Sequence, residues 1–578
     1  MDADTFLDGL PGTTVMVKDH HYASSENSEL KRDGDIVLQP QPSDDPNDPL
    51  NWKPYRKNWH IALICVFTLV TSAIANDAGS AQDQMNEQLG ISYDAMDNAA
   101  GVLFICVGYF TYIFMPASQL YGRRCVYMIC LVFGILGSLW FAKTNDTPNS
   151  VANQAFVGIS ESASEALTQY SLSEIVFEHE RGIKIGIYIL STSVGTYLGP
   201  LAAGYVASSQ GWRWIGWWGL ICCAITFVLF LFTFEETAFD RTKAYEIGRQ
   251  RLVATQESAQ KLDEDKEDDQ QINEEKKDDQ DHSLDKPKNE VSVKEFTGAS
   301  MDTYKRPTYW QRIALITPAT SLSGWGFRQY VVRLVQTLHI FLFPAVIYSG
   351  LQWGAQNAWL TFYLTTMEED WMEAPYNYGD NAVAIMNVPL IIGATIGCFY
   401  AGYLGDYIVI WFAKRNKGVK EAEMRLWMMI LPCIINPLGL FLFGIGTARH
   451  WHWAPSYVGL GCIGFGWGCA GDTAMAYLMD AYPGMVLEGM VAVSVINNTF
   501  GYVFTFACQS WIDSIGTEKT YISIGVLCFF IIFTSFLMIL LGKRMRKITA
   551  KHYFAFLRVR SLLDNQNLEE NHETSVVV

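Results

Sequence analysis

Long apolar stretches recur along this chain and are separated by shorter polar segments. A helix needs about 20 mostly apolar residues to cross a hydrocarbon layer roughly 30 Å thick, and every stretch reaches that length. The windows are approximately residues 58–80, 95–118, 125–144, 150–176, 183–208, 213–234, 340–366, 381–404, 424–447, 455–481, 486–511 and 519–541. The pattern predicts an all-α membrane protein with twelve transmembrane helices.

The polar segments divide these windows into two groups of six. Ten acids, four bases and no aromatic residue fall within residues 261–280, which predicts a disordered, solvated linker. Aromatic residues alternate with arginines in residues 308–337, which predicts a segment lying on the membrane surface. The predicted domains are an N-terminal tail over residues 1–57, a six-helix bundle over 58–235, a central loop over 236–338, a second bundle over 339–542 and a C-terminal tail over 543–578.

Lysine and arginine lie near alternate ends of the predicted spans. Residues 76–97 and 366–380 contain no lysine or arginine, whereas the tails and the central loop contain many. Because basic residues favour the cytoplasmic side, we expect both termini and the central loop to be cytoplasmic. Two six-helix bundles joined by a long cytoplasmic loop are typical of a transporter with two pseudo-symmetric halves.

Composition and missing motifs exclude several other classes of protein. Only 17% of the 578 residues are charged, against about 25% in soluble chains. The net charge of −17 argues against a nucleic-acid binder. The twelve cysteines form no CxxC pair, and the sequence has neither a phosphate-binding P-loop nor a catalytic motif. We therefore expect no enzyme activity, metal site or cofactor.

Two short motifs occupy matching places in the two halves. The segment SQLYGRR covers residues 118–124, and GYLGDY covers residues 402–407. Both resemble the motif that the major facilitator superfamily carries after its second helix. Gln119 stands where that motif has an aspartate, whereas the second copy keeps the acid as Asp406. The resemblance implies that these residues brace a cytoplasmic gate, and the gating candidates are Arg123, Arg124, Asp406 and Arg415.

The fifth span combines several glycines with a proline. Gly195, Gly199 and Gly204 would let two helices approach closely, and Pro200 would bend the helix. The segment resembles the helix-five motif of drug:proton antiporters in the same superfamily.

Further stretches resemble one fungal subgroup of that superfamily, the histidinol-resistance and polyamine uptake permeases. They are residues 45–52, 379–389, 443–449 and 472–480. The resemblance covers most of residues 45–550. It implies the two-bundle fold of the superfamily, proton-driven uptake of polyamines, a plasma-membrane location and a monomeric working unit.

Carboxylates inside apolar spans are costly, and they usually face a cavity. Glu161, Glu165 and Gln169 lie four residues apart and therefore share one face of the fourth span. Repulsion and burial favour a proton on such a pair, which a cation could displace. Asp472 occupies the tenth span, and we expect it to face the same central cavity as Glu165. The alternative interpretation is a buried structural pair satisfied by neighbouring hydroxyl groups.

Other polar and aromatic side chains are candidates with two interpretations. Glu174 and Asp480 lie near the cytoplasmic span ends, where salt bridges with arginines such as Arg123 or Arg415 would close a gate. Asp77 would either attract cations or simply end the first helix. Candidate cation contacts, each also explicable by packing, are Tyr188, Tyr348, Trp353, Gln356 and Tyr477.

Together these features predict a proton-coupled transporter that imports polyamines (spermidine, spermine, putrescine) and related organic cations by alternating access. Its expected partners are these cations, protons and the lipid bilayer, but no nucleic acid. One alternative is a multidrug or organic-cation efflux antiporter, which the helix-five motif favours. The other is a nutrient sensor that does not transport and signals through the charged central loop.

Overall fold

The computed structural model describes residues 10–15, 31–33, 36–239, 241, 307–319, 321–322 and 324–575, so the acidic segment 261–280 lies outside the described residues. The first half contains α1 (Pro54–Asn76), α2 (Gln82–Leu89), α3 (Tyr93–Leu120), α4 (Arg123–Ala142), α5 (Thr147–Glu165), α6 (Leu167–Ile175), α7 (Arg181–Gln210) and α8 (Arg213–Thr233). Two short helices, α9 (Tyr309–Arg312) and α10 (Phe327–Leu338), lead to the second half.

The second half contains α11 (Pro344–Glu369), α12 (Asp380–Ile385), α13 (Asn387–Phe399), α14 (Gly405–Arg415), α15 (Ile430–Ala448), α16 (Trp453–Ala481), α17 (Val486–Ile515) and α18 (Thr517–Ser575). A π-helical turn, Tyr400–Leu404, joins α13 to α14. Short strands β1 (Thr13–Val15) and β4 (Val419–Glu421) pair antiparallel, as do β2 (Arg32–Asp33) and β3 (Ile36–Val37).

Helices occupy all twelve windows that the apolar pattern marks. In the described residues, nine helices are long and apolar enough to cross a membrane by length and composition, or ten if the bent pair Phe327–Leu342 and Pro344–Met367 forms one span. The windows at 150–176 and 455–481 are helical but fall outside that set. These two windows contain the carboxylates Glu161, Glu165 and Asp472, so the functional candidates themselves lower the apolarity. The chain is a multi-pass membrane protein.

The two halves meet along pairs of helices. In the first half α3 packs on α5 and α1 packs on α7, and in the second half α11 packs on α17 and α13 on α16. Across the interface, α3 contacts α17, and α7 contacts α13 and α16. The helices α3, α7, α13, α16 and α17 therefore form the interface between the halves, here called the seam.

The glycines of α7 lie where this helix meets α1. A Cβ atom on Gly195 would lie 2.5 Å from the carbonyl oxygen of Leu69, and one on Gly199 would lie 2.5 Å from that of Ala73. Only glycine permits this separation of the two backbones. Pro200 lies inside the helix, and its carbonyl oxygen accepts a hydrogen bond from Ser80 at 3.1 Å.

The segment before α11 lies on the surface of the first half. Trp325 is 91% exposed and Phe327 78%. The hydroxyl of Tyr121 donates to the carbonyl oxygen of Trp325 at 2.6 Å, and that of Tyr112 donates to the carbonyl oxygen of Leu334 at 2.7 Å. The large aromatic side chains of Trp325 and Phe327 thus lie on the outside of the helix bundle, in a segment that is hydrogen-bonded to α3 and the residue that follows it.

Candidate functional site

A cavity of about 880 Å³ lies between the two halves. It opens on the face of the molecule opposite the chain termini, here called the distal face, and the face that carries both tails is called the terminus face. Seven carboxylate residues line the cavity and its mouth: Asp83, Asp94, Asp97, Glu161, Glu165, Asp370 and Glu373. Among its described lining residues there is no lysine, arginine or histidine. The cavity is therefore suited to a cation.

Glu165 is the last residue of α5, and its carboxylate reaches across to α17 of the other half. It accepts hydrogen bonds from the hydroxyl of Ser494, from Asn498 Nδ2 at 2.7 Å and from Asn497 Nδ2 at 3.1 Å. All three donors are neutral and belong to the second half. The carboxylate thus connects the two halves without being neutralised by a basic group.

Glu161 lies one turn before Glu165 and also lines the cavity. Its Oε1 accepts a hydrogen bond from the hydroxyl of Ser72 at 3.0 Å. Gln169 lines the same wall, with its side-chain amide donating to the carbonyl oxygen of Glu165 at 2.7 Å. The shared face predicted for these three residues is therefore a cavity wall, although α5 ends at Glu165 and α6 begins at Leu167.

The role of the asparagines on α17 could not be assigned from sequence. Polar groups in an apolar span are well explained by hydrogen bonds between helices, and Asn357 Nδ2 does donate to Asn497 Oδ1 at 2.6 Å. The side-chain amides of Asn497 and Asn498, however, also donate to the carboxylate of Glu165 in the other half. The only sequence signal was the polar cluster Ser494, Asn497 and Asn498 on one helix, which did not indicate its partner.

Two of the candidate aromatic residues line the cavity. They are Tyr188, whose hydroxyl donates to the carbonyl oxygen of Ser164 at 2.8 Å, and Trp353. The Trp353 ring lies 4.9 Å from that of Trp467, measured between centroids. Trp467 also lines the cavity but was missed because one more tryptophan in an apolar span looks like packing.

The other three candidates on α11 and α16 lie outside the cavity lining. The Tyr348 hydroxyl bonds to that of Ser535 at 2.7 Å, and the Gln356 carbonyl accepts from Asn436 at 2.9 Å. Tyr477 packs edge-on against Tyr348. Helices α11 and α16 do line the cavity, but these three side chains lie on faces of the two helices that pack inside the second half.

Asp472 does not line the cavity, contrary to the prediction from its spacing along the chain. It is 1% exposed, and neither carboxylate oxygen has a hydrogen-bond partner among the described residues. Its Oδ2 lies in the seam, 3.2 Å from where a Cβ on Gly186 would be and 3.3 Å from one on Gly402. Two residues at equal depth on two helices need not face the same cavity, because each step of one residue turns the side-chain direction by about 100° around the helix axis.

Asp77 also lies outside the cavity lining, although its neighbour Asn76 belongs to it. It follows the last residue of α1 as the helix cap. Of the two interpretations of Asp77, cation attraction and the end of the first helix, its position agrees with the second. Gly204, from the helix-five motif, lines the outer part of the cavity.

The terminus face is closed by buried ion pairs. Asp480 contacts Arg181 at 3.6 Å, Lys420 at 3.1 Å and Arg425 at 3.1 Å. Arg425 also binds Asp406 at 2.8 Å, and Asp406 accepts a hydrogen bond from the backbone N–H of Ile183 at 2.9 Å. Because Arg181 and Ile183 begin α7, this cluster ties the first half to the second.

The partners predicted for the acids at this face are partly different. Glu174 pairs with Arg123 at 3.2 Å, as the sequence suggested, and also with Arg241. Arg415 does not reach Asp480, because its guanidinium stacks on Trp411, 3.8 Å from the ring centroid.

The first copy of the motif uses different contacts at the same face. The Gln119 amide donates to Glu488 at 2.9 Å and accepts from Arg333 at 2.5 Å. The acid that the first copy lacks is therefore supplied by α17, in Glu488. Arg124 of the same motif donates to the carbonyl oxygen of Leu231 at 2.5 Å.

Comparison with known proteins agrees with this architecture. The family model of the Major Facilitator Superfamily matches residues 61–507. An uncharacterized MFS-type transporter of Schizosaccharomyces pombe is 72% identical over 568 residues, which cover 98% of this chain and 97% of the relative. Protein HOL1 of Saccharomyces cerevisiae is 44% identical over 579 residues, covering 96% of this chain and 98% of the relative.

A solved structure supports the fold alone. The crystal structure of the human organic anion transporter MFSD10 aligns with a TM-score of 0.50 and 12% identity, over 83% of this chain and all of that one. The resemblance seen in the motifs, to this superfamily and to its fungal members, is thus confirmed. The chain belongs to the Major Facilitator Superfamily and is an MFS-type transporter.

Proposed function

We propose that this transporter imports polyamines and related organic cations across the plasma membrane, coupled to protons. With both termini in the cytoplasm, as the basic loops predict, the cavity in this conformation faces the outside and the ion pairs close the cytoplasmic side. The observation that carries the proposal is a cavity lined by Glu161 and Glu165 with no basic side chain among its described lining residues. The resemblance to polyamine uptake permeases narrows the cation to this class.

The geometry around Glu165 suggests how a cation would bind. An ammonium group donates hydrogen bonds readily to a carboxylate, and Glu165 is one of the residues that line the cavity. The methylene chain or a second ammonium would lie on Trp353 and Trp467, where cation–π contacts contribute about 0.5–2 kcal/mol each. The acidic mouth would raise the local cation concentration. Substrate and α17 would then share the same carboxylate.

That sharing supplies a link between binding and movement of the halves. An ammonium that donates hydrogen bonds to the Glu165 carboxylate competes with Ser494, Asn497 and Asn498 for its oxygens. Weakening these contacts loosens one connection between α5 and α17. A ligand shifts a conformational equilibrium by its difference in affinity for the two states, and here that difference would arise at the seam itself.

Asp472 is the candidate for the coupled proton. A buried carboxylate without a hydrogen-bond partner is costly when ionised, and protonation removes most of that cost. The charged or titratable groups that interact electrostatically with it are Arg425, Asp406, Cys398 and Cys469. Rocking of the halves would separate α7 from α13 and expose Asp472 to the terminus face, where it could lose its proton and interact with Arg425.

Radiolabelled spermidine uptake tests both parts of the proposal. Uptake would be measured at several external pH values in cells lacking their own polyamine carriers, with Glu165→Gln, Asp472→Asn and the intact chain. Glu518→Gln serves as the control, since this residue pairs with Arg449 outside the cavity. We expect Glu165→Gln to lose uptake and spermidine binding by at least about tenfold. Asp472→Asn should keep binding but lose the pH dependence of uptake.

Three outcomes would contradict parts of this proposal. Normal uptake and pH dependence in both variants would show that Glu165 does not bind the cation and that Asp472 does not carry the coupled proton. Absence of uptake by the intact, surface-expressed chain would contradict import. Drug resistance conferred by the chain without polyamine uptake would instead favour the efflux antiporter, which the helix-five motif also allows.

A further inference from the structure

The first described residues of the N-terminal tail are bound to the second half. Strand β1 pairs with β4 in the register Thr13 to Glu421 and Val15 to Val419. Leu10 is buried, and the carbonyl oxygen of Pro11 accepts a hydrogen bond from Arg546 of α18. These contacts place residues 10–15, here called the N-terminal clamp, in a groove formed by β4, the end of α16 and α18.

The groove is fitted closely around Gly12. This residue has φ +76°, which side chains rarely adopt. A Cβ atom on it would lie 2.8 Å from the carbonyl oxygens of both Asp480 and Ala481. Its own carbonyl oxygen accepts a hydrogen bond from Ala422 at 3.2 Å. The backbone of the clamp therefore touches the end of α16 beside the residue at the centre of the gate.

Strand β4 itself carries a residue that joins the halves. Lys420 is 3% exposed in its side chain and pairs with Glu178 of the first half at 2.6 Å and with Asp480 of the second at 3.1 Å. The partner of β4 in the sheet is β1. Pairing with the clamp therefore stabilises β4, the strand that contains Lys420.

The same tail also binds the first half. The carbonyl oxygen of Gln39 accepts a hydrogen bond from the backbone N–H of Glu178 at 2.7 Å. Asp48, which is fully buried, contacts Arg241 at 3.4 Å, and Arg241 pairs with Glu174. One tail therefore contacts both halves at the terminus face: residues 10–15 bind the second half, and Gln39 and Asp48 bind the first. Gln39 binds the backbone of Glu178, the partner of Lys420.

From these contacts we infer that the groove is a binding site for the chain's own residues 10–15 and that the seated clamp holds the terminus face closed. Removing the clamp leaves β4 without its neighbouring strand and Arg546 without the carbonyl oxygen of Pro11. Lys420 then becomes free to leave Glu178, and the two halves separate more easily. The inference concerns the gate and holds for any cargo.

Hydrogen exchange of the full-length protein in lipid nanodiscs tests this inference. The reporter is the peptide containing Ile183, whose N–H donates a hydrogen bond to Asp406 across the gate. Gly12→Val would unseat the clamp by collision, and Leu10→Asp would unseat it by placing a charge in a buried site. Gly516→Val is the matched control, because Gly516 also has a positive φ but meets no neighbouring atom within 4 Å.

We expect both clamp variants to speed exchange at Ile183 by about tenfold, together with faster exchange in residues 419–422. The control should leave both regions unchanged. Faster exchange in residues 419–422 alone would mean that β1 protects only its own partner strand, and the inference would be overturned. Unchanged exchange in both regions would also contradict the inference that residues 10–15 bind in the groove. Neither result depends on polyamine transport, so the test is separate from that of the proposed function.

Discussion

At the scale of single residues, the cavity is defined by acids without compensating bases. Among its described contacts, the Glu165 carboxylate accepts hydrogen bonds only from neutral donors on α17. A carboxylate paired with arginine would already be neutralised, as Asp406 is by Arg425 on the terminus face. Acidic residues thus serve two purposes: those of the terminus face are paired with bases, and the cavity acids have no basic partner among the described lining residues and can bind a cation.

The aromatic wall of the cavity leads to a prediction about affinity. Trp353→Phe keeps an aromatic ring but weakens its interaction with a cation, because the indole is the stronger partner. Complete loss of a contact that contributes about 0.5–2 kcal/mol would weaken binding by about 2- to 30-fold, and Trp353→Phe should weaken it by less than that. Titration calorimetry with spermidine would measure the dissociation constant. Trp218→Phe, at an exposed site on α8, should leave it unchanged, and an unchanged constant for Trp353→Phe would exclude this wall from the binding site.

At the scale of elements, close contact between helices depends on residues without side chains. The backbone of α7 approaches α1 at Gly195 and Gly199, where carbonyl oxygens occupy the space that a Cβ would need. On the opposite side, α7 contacts α13 and α16 and carries Gly186 beside Asp472. This helix is therefore both part of the rigid first half and one side of the seam.

Substitution in this contact should destabilise the first half. Gly199→Val forces α7 away from α1, and overpacking of this kind costs about 1–3 kcal/mol. We expect a lower melting temperature in detergent, measured by the unfolding of the purified protein. Ala202→Val is the control on the same helix, because Ala202 is exposed on the bundle surface. Equal melting temperatures for the two variants would show that the separation of α1 and α7 is not constrained at this glycine.

At the scale of the whole molecule, the two faces are built differently. The distal face opens into an acidic cavity, whereas the terminus face is closed by alternating acids and bases from both halves. Asp480 contacts three cationic side chains at once, one of them from the first half. Such an arrangement favours the conformation seen here, open on the distal face only.

Removing that central charge should shift the equilibrium between conformations. Asp480→Asn leaves Arg181, Lys420 and Arg425 with less compensation, and breaking a buried ion pair typically costs about 3–5 kcal/mol. We expect the terminus face to open, measured as a longer distance between spin labels at Lys53 and Lys417. Asp44→Asn breaks the exposed pair with Lys31 and should not change the distance. An unchanged distance distribution in Asp480→Asn would show that other contacts keep this face closed.

The sequence by itself determined the membrane architecture, because partition between lipid and water acts on local stretches of chain. All twelve windows are helices, the division into two halves follows from the polar central loop, and the glycines of α7 lie at a close helix contact. Glu161, Glu165 and Gln169 could be placed on one face by spacing alone, because three residues on one short stretch share its rotation.

Tertiary structure decided the directions and the partners. Asp472 and Glu165 were predicted to face one central cavity, yet Asp472 points into the seam. Spacing along the chain contains no information about the rotation of α16 that decides this direction. Likewise, Glu488 supplies the acid beside Gln119, and the N-terminal clamp pairs with a strand some 400 residues away. Such contacts depend on which surfaces the packed helices bring together, and packing is a property of the whole fold rather than of any segment.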